Sequence, residues 1–113
     1  MIQIVKGSDA TIKITFSKNG VAFDITGYTI LFTAKKVEAV TMADTLAAIK
    51  KNITVHTDPT HGISAISLNN LETDIEAGKY YWDIRLLKDG VISSTIYDIL
   101  EITQNITIRK VAS

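Results

Sequence analysis

The feature of this sequence that most restricts its fold is an alternation of apolar and polar residues with a period of two. Successive side chains of a β-strand point to opposite faces of a sheet, so this period predicts strands with one buried face. The alternation is clearest over 79–88, where one side carries Tyr80, Trp82, Ile84 and Leu86. Weaker examples recur along the chain at 11–16, 21–23, 28–36, 51–57, 63–68, 91–97 and 99–109. The sequence therefore predicts an all-β domain of about seven or eight strands.

Turn signals separate these segments. Asn19-Gly20 and Asp89-Gly90 are residue pairs that accept the positive φ angles of a type I′ hairpin turn. The segment 57–62 reads T-D-P-T-H-G, and each of its aspartate, proline and glycine suits a particular turn position. It predicts that 51–57 and 63–68 form a hairpin. Turns this frequent are typical of a β-sandwich or small barrel, and they leave no room for the crossover helices of a parallel sheet.

Residues 38–51 interrupt the alternation. Four apolar residues recur there and just beyond at helical spacing, namely Met42, Leu46, Ile49 and Ile53. Asp44 is a suitable capping residue for the first turn of such a helix. The pattern predicts a short helix near 38–51, and an irregular loop is the alternative.

Composition restricts the partners that we expect. The 113 residues are the ordinary size of one domain, predicted to span 1–113. Twelve basic residues balance twelve acidic ones, so no charge excess favours nucleic acid or an anionic membrane. No apolar run approaches the roughly 18 residues of a membrane helix, and the N-terminal apolar stretch is too short for a signal peptide. Cysteine is absent, which suits a protein made in a reducing cytosol.

The sequence offers little catalytic chemistry. His56, Asp58 and His61 form the only local cluster of metal-ligand residue types, but they lie on a predicted turn, where they need not converge. We expect them to be solvated turn residues. The chain has no nucleophile-elbow pattern and no glycine-rich phosphate loop. We therefore predict no catalytic, cofactor-binding or metal-binding residues, and a protein that is not an enzyme.

Aromatic residues near the start of segment 79–88 bear on the fold and on contacts. Tyr80 follows Gly78 by two residues and resembles the tyrosine corner of Greek-key sandwiches, in which the phenol bonds back to the upstream backbone. Trp82 shares the face of Tyr80 and is expected in the core. Tyr81 and Tyr97 are the candidates for exposed aromatic contacts.

Five motifs occur in an order that resembles a known family. They are G-S-D at Gly7–Asp9, D-I-T-G at Asp24–Gly27, T-D-P-T-H-G at Thr57–Gly62, G-K-Y-Y-W-D-I at Gly78–Ile84, and T-I-R at Thr107–Arg109. Together they are similar to the amino-terminal domain of phage baseplate upper proteins and its small stand-alone relatives in tail gene clusters. The resemblance covers nearly the whole chain. It implies an immunoglobulin-like Greek-key β-sandwich that connects parts of a tail or baseplate, with no catalytic residues.

The resemblance also implies a location and partners. We expect a virion structural protein made in the bacterial host cytoplasm, present in several copies, and bound to other phage structural proteins in the tail. Because the sequence ends at Ser113, no receptor-binding domain is expected to follow. The first strand, Ile2–Val5, and the last, through Arg109, are the predicted sheet edges. A capsid decoration protein and a glycan-binding module that uses Tyr81, Tyr97 or 38–51 remain open alternatives.

Overall fold

The residues that the structure describes form two β-sheets and one small hairpin. The computed structural model describes residues 2–36 and 47–104, except for the side chains of 94–97. Within these ranges the strands are β1 (Ile2–Val5), β2 (Ala10–Thr15), β3 (Ser17–Lys18), β4 (Val21–Ala22), β5 (Thr29–Lys36), β6 (Ile49–Ile53), β7 (Ile63–Leu68), β8 (Gly78–Lys88) and β9 (Val91–Thr103). One turn of 3₁₀ helix, Pro59–His61, precedes β7. The all-β prediction is confirmed, and no helix in the described ranges is long and apolar enough to cross a membrane.

The strands form a sandwich of unequal sheets. The large sheet has the order β1-β9-β8-β5-β6, and the small sheet pairs β2 with β7. Only β1 and β9 are parallel among these neighbours, and all other pairs are antiparallel. The chain passes from β2 to β5, from β6 to β7 and from β7 to β8 by changing sheets. This alternation between two sheets is the connectivity of an immunoglobulin-like Greek key.

The core lies between the inner faces of the two sheets. The large sheet contributes every second residue of β8, as the alternation predicts, and the small sheet contributes Ile12, Ile14, Ile66 and Leu68. Trp82 is only 5% exposed, and its ring centroid lies 5.7 Å from that of Phe32. Each apolar side chain buried in this way stabilises the fold by about 1.5–3 kcal/mol. The core position predicted for Trp82 is confirmed.

Both predicted type I′ turns are present. Asn19 and Gly20 have φ angles of 53° and 78°, and they join β3 to β4. Asp89 and Gly90 have φ angles of 52° and 79°, and they join β8 to β9. Positive φ at both central positions defines this turn type.

The predicted hairpin around residues 57–62 is wrong. β6 pairs with β5 in the large sheet, whereas β7 pairs with β2 in the small sheet. The turn therefore carries the chain from one sheet to the other. The sequence of the turn correctly indicated that the chain reverses direction. The alternation in the flanking strands shows which face of each strand is buried, but it does not show which strand pairs with it.

The predicted helix near 38–51 is wrong at its C-terminal end. Ile49 and Ile53 belong to β6, where Ile49 is 3% exposed. A spacing of four residues places two side chains on one face of a strand as well as of a helix, so this pair did not distinguish the two. Met42, Asp44 and Leu46 lie outside the described residues.

The last strand also differs from the prediction. Two strands were expected at 91–97 and 99–109, but Val91–Thr103 is one strand with a bulge opposite Ile84 and Arg85. β1 is an edge of the large sheet, as expected, and β6 is the other edge. The expectation that the last strand is an edge is wrong over 100–103, because β1 covers that part of β9. Residues 105–109 lie outside the described ranges.

Candidate interaction surface

The half-buried imidazole of His56 holds the two sheets together. Its Nε2 lies 2.7 Å from the carbonyl oxygen of Tyr28, and its Nδ1 lies 2.9 Å from the hydroxyl of Ser64. A carbonyl oxygen only accepts, so Nε2–H donates, and in the neutral ring Nδ1 accepts the proton of Ser64. Both ring nitrogens are therefore occupied by partners within the chain. The expectation that His56 is a solvated turn residue is wrong.

The other two members of the predicted cluster form a separate pair. His61 Nδ1 lies 2.9 Å from the carboxylate of Asp58, and the two side chains are 70% and 45% exposed. His56 does not contact either of them through any hydrogen bond or ion pair of the described chain. Across residues 2–36 and 47–104, no three histidine, aspartate or glutamate side chains are placed to hold a metal ion.

Tyr80 forms the predicted tyrosine corner. Its ring is 1% exposed, and its hydroxyl donates a hydrogen bond to the carbonyl oxygen of Glu76 at 2.5 Å. Gly78 lies between the two residues with a φ of 144°. The bond fixes the crossover between β7 and β8 against the core.

The same crossover is held at its start by side chains. Asn69 Oδ1 accepts hydrogen bonds from the backbone N–H groups of Leu71 and Glu72. The carboxylate of Glu72 accepts a hydrogen bond from the backbone N–H of Asn69 at 2.9 Å. Lys51 of β6 reaches the carboxylate of Glu72 at 3.1 Å and the carbonyl of Ser67 at 2.5 Å. Thr73 donates to the carbonyl of Ser8 at 2.6 Å. The connection is thus a rigid part of the sandwich.

Three exposed carboxylates are stabilised in their charged form. The Thr26 hydroxyl lowers the pKa of Asp24, and hydrogen bonding from Lys36 lowers the pKa of Glu76. The backbone N–H of Ile99, 2.7 Å from the carboxylate, lowers the pKa of Asp98. Asp24 lies in a turn, Glu76 in the crossover and Asp98 in β9. Each carboxylate accepts a hydrogen bond that favours its ionised form.

A groove runs along the solvent-facing side of the large sheet. It has a volume of about 390 Å³, and we call it the outer groove. Its lining residues are Leu31, Thr33, Lys35, Tyr81, Trp82, Asp83, Arg85 and Ile92. β5 and β8 pair antiparallel at its centre, so that Leu31 lies beside Arg85, Thr33 beside Asp83 and Lys35 beside Tyr81.

Two side chains of opposite charge, those of Asp83 and Arg85, line the outer groove. Asp83 is half-buried and Arg85 is exposed. In the described part of the chain, neither side chain makes a hydrogen bond or ion pair. The bulge of β9 lies opposite Ile84 and Arg85, next to this point of β8, and a bulge increases the local twist of a strand pair. Tyr81 is half-buried in the groove, whereas Tyr97 is described only by its backbone pairing with Asp83.

The edge position of β1 was expected from the sequence. The outer groove, in contrast, is a surface that the sequence did not indicate. Tyr81 was proposed as a contact residue, and it does line the outer groove. Asp83 and Arg85 were visible only as the polar side of an alternating strand. Two properties distinguish Asp83 and Arg85: they lack partners in the described chain, and they lie beside β5. The second property is known only once the order of the strands in the sheet is known.

Comparison with known proteins gives a likeness of fold. No model of a protein family matches the sequence, and no curated protein sequence matches it. Among solved structures, the N-terminal domain of phage TP901-1 ORF48 is similar, with a TM-score of 0.50 and 12% sequence identity. The likeness covers 92% of this chain and 83% of that chain. It is a likeness of fold alone. The fold that the five motifs implied therefore occurs in a domain of a phage protein.

Proposed function

We propose that this chain is a phage structural protein that serves as an assembly module of the virion, within the tail or baseplate. The observation that carries the proposal is the fold likeness to the phage TP901-1 ORF48 domain over most of both chains. The five ordered motifs are a second line of support, because they rest on the sequence and not on the fold.

The architecture suits a connecting role. His56 and Lys51 join the two sheets, and Tyr80 holds the crossover between them. These links hold the two sheets and the crossover in a defined arrangement, which suits a module that connects other parts. The two surfaces best suited to contacts are the outer groove and the edge strand β1.

The two edges of the large sheet differ in their suitability for contacts. β6 carries Lys50 and Lys51, and charged residues on an edge oppose pairing with another strand. β1 has the uncharged sequence I-Q-I-V, and its Val5 is 47% exposed. An extended segment of a neighbouring virion protein is the kind of partner that an uncharged edge accepts.

Mass spectrometry of purified particles tests this proposal. We expect peptides of this chain in intact virions and in isolated tails, at a stoichiometry of several copies per particle. An antibody fragment against the chain, located by cryo-electron microscopy, then identifies its position. Particles free of the polypeptide would contradict the proposal, and a signal confined to the head would replace the tail with capsid decoration.

A further inference from the structure

We propose that the outer groove is a self-complementary surface on which a second copy of this chain docks about a two-fold axis. The inference does not depend on the virion role, because it concerns what the isolated chain does with itself. It rests on how charged and apolar residues are distributed over the outer face of the large sheet.

The first argument is charge. Asp83 and Arg85 lie two positions apart on β8, about 7 Å along the strand, and both line the outer groove. Neither is neutralised by another side chain of the described residues. A purely acidic partner is repelled by Asp83, and a purely basic partner is repelled by Arg85. The suitable partner offers a cation and an anion at the same spacing in reverse order.

A second copy offers this reversed order. In a two-fold contact, each residue i that touches residue j has a counterpart in which j touches i. Let the two-fold axis lie in the plane of the interface, perpendicular to β8, and pass between Asp83 and Arg85. Each Asp83 then faces the Arg85 of the other copy. Two ion pairs form, and each is shielded by the sheets on both sides.

The rest of the face agrees with this arrangement. The strand register places five further pairs about the same axis: Tyr81 opposite Leu87, Ile92 opposite Ile99, Leu31 opposite Thr33, Lys35 opposite Thr29, and Lys50 opposite Asn52. Two of these pairs join apolar or aromatic side chains, Leu31 meets the small side chain of Thr33, and each lysine meets an uncharged side chain. No two like charges face each other among these positions.

Exposure of the apolar members supports the contact. Ile92 is 50% exposed, and Tyr81, Leu87 and Ile99 are half-buried in the single chain. Sheets that pack face to face lie about 10 Å apart, which is the reach of two opposing side chains. A five-stranded face is wide enough to supply the roughly 800 Å² per partner of a stable interface.

Sedimentation equilibrium tests the proposal with a charge exchange. We expect the purified chain to show a monomer–dimer equilibrium between roughly 10 μM and 1 mM. Asp83→Arg and Arg85→Asp should each weaken self-association by roughly tenfold or more, since each replaces two ion pairs with like-charge contacts. An equimolar mixture of the two variants should form heterodimers, because all four groups are then correctly opposed.

The controls separate this contact from other effects. Lys18→Glu changes an exposed charge on the β3–β4 hairpin, away from the outer groove, and should leave the dimer unchanged. Circular dichroism verifies that each variant is folded. A chain that stays monomeric over the whole range, or variants that do not associate when mixed, would overturn the proposal. A dimer found for a chain absent from purified virions would leave this inference standing and contradict only the proposed function.

Discussion

The hydroxyl of Tyr80 lies 2.5 Å from the carbonyl oxygen of Glu76, four residues earlier, while its ring is enclosed by the core. One side chain therefore fixes both the crossover and the start of β8. Since β8 is the central strand of the large sheet, the position of the outer groove depends on this bond.

Replacing Tyr80 with phenylalanine isolates the contribution of that hydrogen bond. Tyr80→Phe keeps the ring in the core and leaves the Glu76 carbonyl without this donor. We expect the free energy of unfolding to fall by about 1–2 kcal/mol in urea denaturation. Tyr81→Phe is the matched control, because no hydrogen bond from its hydroxyl is present among the described residues, and it should change stability by less than about 0.5 kcal/mol. Equal effects of the two changes would contradict the role of the tyrosine corner.

Gly62 is the glycine that tolerates a side chain least. A Cβ at this position would lie 2.5 Å from the carbonyl oxygens of both Phe16 and Phe23, and its φ is 73°. Gly62→Ala should therefore reduce the free energy of unfolding by at least about 3 kcal/mol. Gly90→Ala, also at positive φ but in open space, should lose only about 1–2 kcal/mol. Chemical denaturation of both variants measures the difference.

The roles of the two histidines should separate in a stability experiment. His56→Ala removes the hydrogen bonds to the Tyr28 carbonyl and to the buried Ser64 hydroxyl, and we expect a loss of about 1–3 kcal/mol. His61→Ala removes a solvent-exposed contact and should stay within about 0.5 kcal/mol. Zinc added during thermal unfolding should leave the midpoint of the wild-type chain unchanged. A rise in that midpoint which depends on His56 would instead indicate a metal site.

Lys51 should matter more than its neighbour Lys50. Lys51→Met breaks the contacts with Glu72 and with the Ser67 carbonyl, which join β6 to the small sheet and its crossover. We expect the free energy of unfolding to fall by about 1 kcal/mol at low salt. The difference from the wild-type chain should become smaller at high salt, because salt screens the ion pair in the wild-type chain. Lys50→Met, on the exposed face of the same strand, should be close to neutral. Indistinguishable unfolding curves for the two variants would exclude a stabilising role for this link.

Titration of Asp24 checks the origin of its lowered pKa. Because this pKa is below its ordinary value of 3.8, mainly through the Thr26 hydroxyl, the carboxylate stabilises the fold above that value. The stabilisation is lost as the pH falls through the lowered pKa of the folded state. Thr26→Ala should raise the Asp24 pKa toward 3.8 in a carboxyl-detected NMR titration. Asp98 is the internal reference, since its pKa is lowered chiefly by the Ile99 backbone and should not move.

Local features of this fold were predictable because they depend on residues close together in sequence. The buried face of β8 follows from its alternation, and both type I′ turns follow from Asn-Gly and Asp-Gly. The bond from Tyr80 to Glu76 spans four residues and was also predictable.

Features that depend on pairing between distant strands were not predictable. The turn at 57–62 joins two sheets, and no residue within it specifies whether the following strand pairs with β6 or with β2. The outer groove needs β5 beside β8, and these strands are separated by two others in the chain. From the sequence, His56 is predicted to be a turn residue. Its structural role becomes visible only when Tyr28 and Ser64 are known to lie on either side of its ring.

The parallel pairing of β1 with β9 has a consequence for how the chain reaches this fold. Ile2 lies beside Leu100, and Val5 lies beside Thr103. Because this contact spans almost the whole chain, β1 has no partner while the ribosome is still making the middle of the domain. Non-local pairings of this kind slow folding, and they leave unpaired strands exposed until late in synthesis. The uncharged first strand is thus the part of the nascent chain that most needs protection from aggregation before β9 emerges.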